Sequence, residues 1–141
     1  QTARLSGTVR AFSNATMAMI GEHMTRTAEG IAQAMGATAK VDFRVNFAPT
    51  INDPAQAEFA AAVCAELVGA HNVERDPPLI MASEDFSFML ERVPGCYLNI
   101  GNGEIEGSCE VHNPAYDFND EAIPLGVGFF VRAVEHKLAR G

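Results

Sequence analysis

Ala3-Arg4-Leu5-Ser6-Gly7-Thr8-Val9-Arg10-Ala11 alternates cleanly, with Ala3, Leu5, Gly7, Val9 and Ala11 on one face and Arg4, Ser6, Thr8 and Arg10 on the other. A period of two predicts a half-buried strand with two arginines on its polar side. Ser13 or Asn14 then offers a helix cap. Met17, Ile20, Met24, Ala28, Ile31 and Met35 recur at spacings of three and four, the stripe of an amphipathic helix that Gly36 stops. A second alternation follows from Lys40 to Phe47, with Val41, Phe43, Val45 and Phe47 on its buried face. Residues 1–49 therefore read as β-α-β, one helix across one face of a sheet. Two strands are too few for an independent sheet. The unit reads as half of something, with a strand edge that needs a partner.

Pro49 and Asn52-Asp53-Pro54 punctuate the chain, and the break at residues 49–53 is the best boundary. Asp53 as N-cap, Pro54 at the first helical position and Gln56 two residues later make a strong helix start. Phe59, Val63 and Leu67 line that helix and Gly69 ends it. Beyond Pro77-Pro78 comes a short apolar run, Leu79 to Met81, and Ser83 then stands where it can cap a short helix carrying Glu84 and Asp85 in its first turn. Cys96 to Ile100 predicts a buried strand after Pro94-Gly95. Asn119 caps a last helix whose apolar face would be Ile123, Val127, Phe130, Val134 and Leu138.

Three places offer chemistry. His112 lies in Glu110-Val111-His112-Asn113-Pro114-Ala115-Tyr116-Asp117-Phe118-Asn119-Asp120, an acidic, Pro-broken run that also follows Glu104 and Glu106. A neutral imidazole in a negative field suits a divalent cation, although zinc needs three or four protein ligands; the alternative is a surface loop histidine. Ser83-Glu84-Asp85 reads either as a capped helix start with acids that compensate the helix dipole, or as backbone N–H groups facing an anionic substrate group. Arg10 is either a solvated or paired strand arginine or a planar fork for a carboxylate. His23, His71 and His136 have no such company, and Cys64 reads as helix packing near Phe59 and Leu67. The chain has no Ser elbow, P-loop or dinucleotide fingerprint.

Composition narrows the classes. The 141 residues carry a net charge of -8 with 48% hydrophobic and 20% charged residues, which predicts a packed core and disfavours a phosphate-binding face and nucleic-acid partners. No apolar run approaches the roughly 20 residues of a membrane span, and no signal-peptide pattern opens the sequence. Cys64, Cys96 and Cys109 have no zinc-finger spacing; reduced thiols in a cytoplasmic setting are expected, with a Cys96–Cys109 disulfide the lesser alternative.

The order Gly7-Thr8-Val9-Arg10, Pro49-Thr50-Ile51-Asn52-Asp53, Ser83-Glu84-Asp85-Phe86, Pro94-Gly95-Cys96-Tyr97 with Ile100-Gly101, and His112-Asn113-Pro114 through Tyr116-Asp117-Phe118-Asn119-Asp120 resembles a known group. It is similar, over essentially the whole chain, to the C-terminal portion of the hippurate hydrolases and auxin-conjugate hydrolases. These are amidohydrolases of the aminoacylase and carboxypeptidase metallopeptidase superfamily. The resemblance implies an α/β fold: residues 1–50 as the second half of a βαββαβ lid, or dimerisation, domain, and residues 51–141 as the C-terminal part of a zinc-peptidase-like α/β catalytic domain. It implies that His112 is a metal ligand, that Arg10 takes the substrate carboxylate, and that Ser83, Glu84 and Asp85 form a substrate-side loop. The complete enzyme would hold two divalent metal ions, zinc, manganese or similar, and act on N-acyl amino acids. It would dimerise through the lid, or this piece would pair with an N-terminal half. The family's bridging ligand, its other His and Glu ligands and its general base match nothing here. No catalytic residue is therefore assigned, and the fragment alone is expected to be inactive and need hold no metal. A rival expectation, from a different class, is a non-catalytic dimerisation or interaction module.

Overall fold

The computed structural model describes residues 1–103, 109 and 111–139. Four helices carry the architecture: α1 (Asn14–Ala34), α2 (Pro54–Val68), α3 (Phe86–Leu90) and α4 (Ile123–Leu138), with short 3-10 turns at Ala70–Asn72 and Asp120–Ala122. The chain divides into two compact units, one formed by residues 1–51 and 78–94 and the other by residues 52–77 and 95–141. Among the described residues no helix is long and apolar enough to cross a membrane.

In the first unit, Ser13 caps α1 by accepting from the Thr16 N–H at 3.0 Å, and the helix ends at Ala34, two residues before Gly36, whose φ is +69°. Only a residue that tolerates the left-handed region stops a helix this way at little cost. Phe43 packs its ring on α1 at Gly21, where a Cβ would meet the ring at 2.9 Å. Phe43 thus contacts α1 at that point, and Val41 and Phe43 are half-buried while Asp42 and Arg44 face solvent. The expected strands do not form: no β ladder is present among the described residues, at residues 3–11, 40–47 or 96–100. A strand is stable only when its N–H and C=O groups pair with a neighbour and its face is covered. Here Leu5 is 97% exposed, so the alternation identifies a face without burying it.

The short helix α3 begins later than the sequence suggests. Asp85 stands at its N-cap without a side-chain cap hydrogen bond, and Ser83 does not cap it. The turn is closed instead by Ser87, whose hydroxyl donates to the Glu84 carbonyl at 2.7 Å and which is fully buried.

In the second unit Asp53 caps α2 as expected, accepting from the Gln56 N–H at 3.0 Å with Pro54 in the first turn. Gly69, at φ +84°, ends it. α2 packs on α4: Ala60 and Val63 are buried, and Gly128 brings α4 close enough that a Cβ there would touch Leu67 at 3.4 Å. Glu66 meets His136 at 2.9 Å across the same pair, and the Lys137 ammonium lies 4.4 Å above the Phe59 ring. The α4 face expected from periodicity is not the covered one. Ile123, Val127, Phe130, Val134 and Leu138 are all exposed, because small Gly128 rather than the large apolar side chains makes the close approach.

Candidate functional site

Arg10 belongs to the first unit and is exposed. Its Nη1 donates to Thr8 Oγ1 at 3.3 Å, and no carboxylate among the described residues forms an ion pair with it. A guanidinium left without an internal acid keeps its fork available for an external one. Ser83, Glu84 and Asp85 lie in the same unit, immediately before α3. The N–H groups around them are engaged locally: Asp85 N–H donates to Glu84 Oε1 at 3.1 Å, Ser87 N–H to the Glu84 carbonyl at 3.3 Å, and Phe88 N–H to the Asp85 carbonyl at 3.0 Å.

His112 belongs to the second unit. It is exposed and holds φ at +70°, the one positive value at a non-glycine among the described residues. Asn113 starts a tight turn beside it, with its Oδ1 accepting from Ala115 N–H and its carbonyl from Tyr116 N–H, both at 2.9 Å. Asp117 and Asp120 are exposed. Glu104, Glu106 and Glu110, which made the sequence acidic here, lie outside the described residues. Among the described residues no group of three or more His, Cys, Asp or Glu side chains is placed to hold a metal ion. A lone imidazole does not enclose a cation, so the described residues do not by themselves fit a metal.

Two asparagines, Asn52 of the turn before α2 and Asn102, which the sequence analysis did not single out, organise this unit. Asn52 donates from Nδ2 to the Tyr97 carbonyl at 2.9 Å and accepts the Tyr97 N–H on Oδ1 at 2.8 Å, tying the entry of α2 to residues 95–97. Asp53 N–H adds a 2.9 Å bond to the Gly95 carbonyl. Asn102 acts similarly on residues 117–119. Neither has a local spacing signal, since the partners are distant in sequence.

All three cysteines are free. Burial pushes the Cys64 thiol above its ordinary pKa, and burial with the neighbouring Cys64 does the same for Cys96. The thiolate is the reacting species. Both are therefore expected to react with iodoacetamide severalfold more slowly than free cysteine at neutral pH. Mass spectrometry after timed quenching checks this, and rates equal to the free amino acid would show both thiols unshielded.

Residues 5–136 match peptidase family M20/M25/M40. The chain belongs to this family. Hippurate hydrolase of Campylobacter jejuni subsp. jejuni is 32% identical over 130 residues, covering 92% of this chain and 33% of that protein. N-acetylcysteine deacetylase of Bacillus subtilis is 32% identical over 130 residues, covering 91% and 32%. N-acetyldiaminopimelate deacetylase of Shouchella clausii is 29% identical over 139 residues, covering 99% and 36%. The chain thus spans about a third of the length of the curated relatives it matches. No solved structure gives a significant match.

Proposed function

We propose that this chain is part of an amidohydrolase that cleaves the amide bond of N-acyl amino acids, with hippurate-like substrates. The observation that carries the reading is similarity to hippurate hydrolase across 92% of the chain. Residues 1–50 supply the second half of a lid and dimerisation domain, and residues 51–141 the C-terminal part of a zinc-peptidase-like catalytic domain. His112 provides one ligand to a site of two divalent metal ions, whose remaining ligands and general base lie in other residues of the complete enzyme. Arg10 takes the amino-acid carboxylate in its fork, and Ser83, Glu84 and Asp85 border the substrate. The complete enzyme is a cytoplasmic homodimer. A second reading, a non-catalytic dimerisation module, draws support from the missing ligand cluster among the described residues.

Two measurements test this. The 141-residue chain alone is expected to bind zinc only weakly by calorimetry and to leave hippurate intact. The complete enzyme carrying it is expected to release the amino acid, and His112→Ala to abolish that release. Submicromolar zinc binding by the isolated chain that survives His112→Ala would remove His112 from the metal site. A complete protein that dimerises yet hydrolyses no N-acyl amino acid would establish the second reading.

A further inference from the structure

We propose that Asn102 is a deamidation site whose own hydrogen bonds act as the brake on the reaction. Asn102-Gly103 is the one Asn-Gly pair in the sequence. The residue after an asparagine supplies the nucleophile, its peptide nitrogen, and glycine, having no Cβ, leaves that nitrogen open to approach. Once the Gly103 N–H gives its proton to hydroxide, the nitrogen attacks Asn102 Cγ. The N–Cγ bond forms, the Cγ–Nδ2 bond breaks, and Nδ2 takes a proton from water and leaves as ammonia. Water then opens the cyclic imide at either of its carbonyls, leaving aspartate or isoaspartate in place of Asn102. The residue is half-buried and Gly101 and Gly103 beside it are exposed, so solvent reaches the pair. Other asparagines lack this opportunity. Asn113 precedes Pro114, which has no N–H, and Asn52 precedes Asp53, whose N–H is engaged by the Gly95 carbonyl at 2.9 Å.

The brake is a clip onto residues 117–119. Asn102 Nδ2 donates to the Asp117 carbonyl at 3.0 Å, its Oδ1 accepts the Asn119 N–H at 2.8 Å, and its own carbonyl accepts Asn119 Nδ2 at 3.1 Å. Asn119 Oδ1 in turn accepts the Glu121 N–H at 3.1 Å, which anchors the clip to the turn before α4. Turning Cγ onto the next peptide nitrogen, and freeing Nδ2 to leave, requires these bonds to open. The same geometry retains the labile pair. Gly103 has φ +81°, and a Cβ there would come 3.3 Å from Asn119 Nδ2, so a side chain that slowed the chemistry would strain the backbone. The product cannot remake the clip. A carboxylate has no N–H for the Asp117 carbonyl, and isoaspartate adds a carbon to the backbone. Each conversion therefore unfastens residue 102 from residues 117–119 irreversibly.

Peptide mapping by mass spectrometry after incubation of the 141-residue chain at mildly alkaline pH, native and unfolded in guanidinium chloride, tests this. In the unfolded chain Asn102 is expected to convert faster than any other asparagine, giving both aspartate and isoaspartate. In the native chain the same conversion should be slower by about tenfold or more, the factor that opening a hydrogen bond or two imposes. Asn119→Ala removes the bond to the Asn102 carbonyl and is expected to speed native conversion by about threefold or more while leaving the unfolded rate unchanged. The Gly69 N–H, bonded to the Ala65 carbonyl at 2.9 Å, should stay protected from exchange in this variant and serves as its control for folding. If Asn119→Ala fails to fold, the wild type decides the matter. Low guanidinium should raise Asn102 conversion and Asn119 N–H exchange in proportion, because both pass through the same local opening. Conversion in the native chain as fast as in the unfolded one, or conversion that does not follow Asn119 exchange, overturns the brake. Absence of isoaspartate in place of Asn102 in the unfolded chain overturns the site itself.

Discussion

Arg10→Lys in the complete enzyme is expected to lower kcat/KM for N-acyl amino acids by roughly ten- to a hundredfold. The substitution keeps the charge and removes the planar fork, which is the part that matches a carboxylate with two parallel bonds. A charge-assisted hydrogen bond contributes on the order of 1.5 to 3 kcal/mol, which sets that range. Among the described residues the side-chain hydrogen bond of Arg10 goes to neutral Thr8 rather than to an acid, which suits it to the role. Substrates whose carboxylate is amidated should be poor for the wild type and little changed by the substitution. Four rates, two enzymes on two substrates, decide the matter. Equal rates on the free acid would return Arg10 to the status of a solvated side chain.

Val63→Ala is expected to destabilise the chain by about 2 kcal/mol, from two lost methyl groups and the cavity they leave. Val63 is 1% exposed on α2, whereas Val134 on α4 is 55% exposed. Val134→Ala is therefore expected to stay within about 0.5 kcal/mol of wild type. Denaturant midpoints followed by far-UV circular dichroism make the comparison, and equal losses at the two positions would mean that α4 is covered on its outer side. The pair is informative because hydrophobic periodicity ranks both valines as core.

That ranking shows where sequence stops being sufficient. Helix ends were legible where their causes are local: Ser13, Asp53 with Pro54, and Gly69 each act within one turn and occupy the expected places, whereas Asn119 caps the 3-10 turn Asp120–Ala122 and α4 itself starts behind Ala122 without a side-chain cap. Burial is a relation between distant elements. Periodicity marked Phe130 and Leu138 as an apolar face but could not say what lies against it, and both are exposed. The alternation at Leu5 likewise shows a face without specifying the ladder that would hold it. In the candidate site, the turn at Asn113 was legible from its residue types. The Asn102 clip was not, because its bonds span 15 and 17 residues and leave no pattern in either segment.

The outward stripe of α4 has a calorimetric consequence. Unfolding raises the heat capacity in proportion to the apolar surface newly exposed to water. Side chains such as Ile123, Val127, Phe130 and Leu138 already meet water in the folded chain, and the buried apolar residues described are only Ala60, Val63 and Ala122. The heat-capacity step of this polypeptide by itself should therefore fall below the usual ~12–15 cal/mol/K per residue. Its stability then varies little with temperature: a shallow curve, with a broad melting transition and cold denaturation displaced far below freezing.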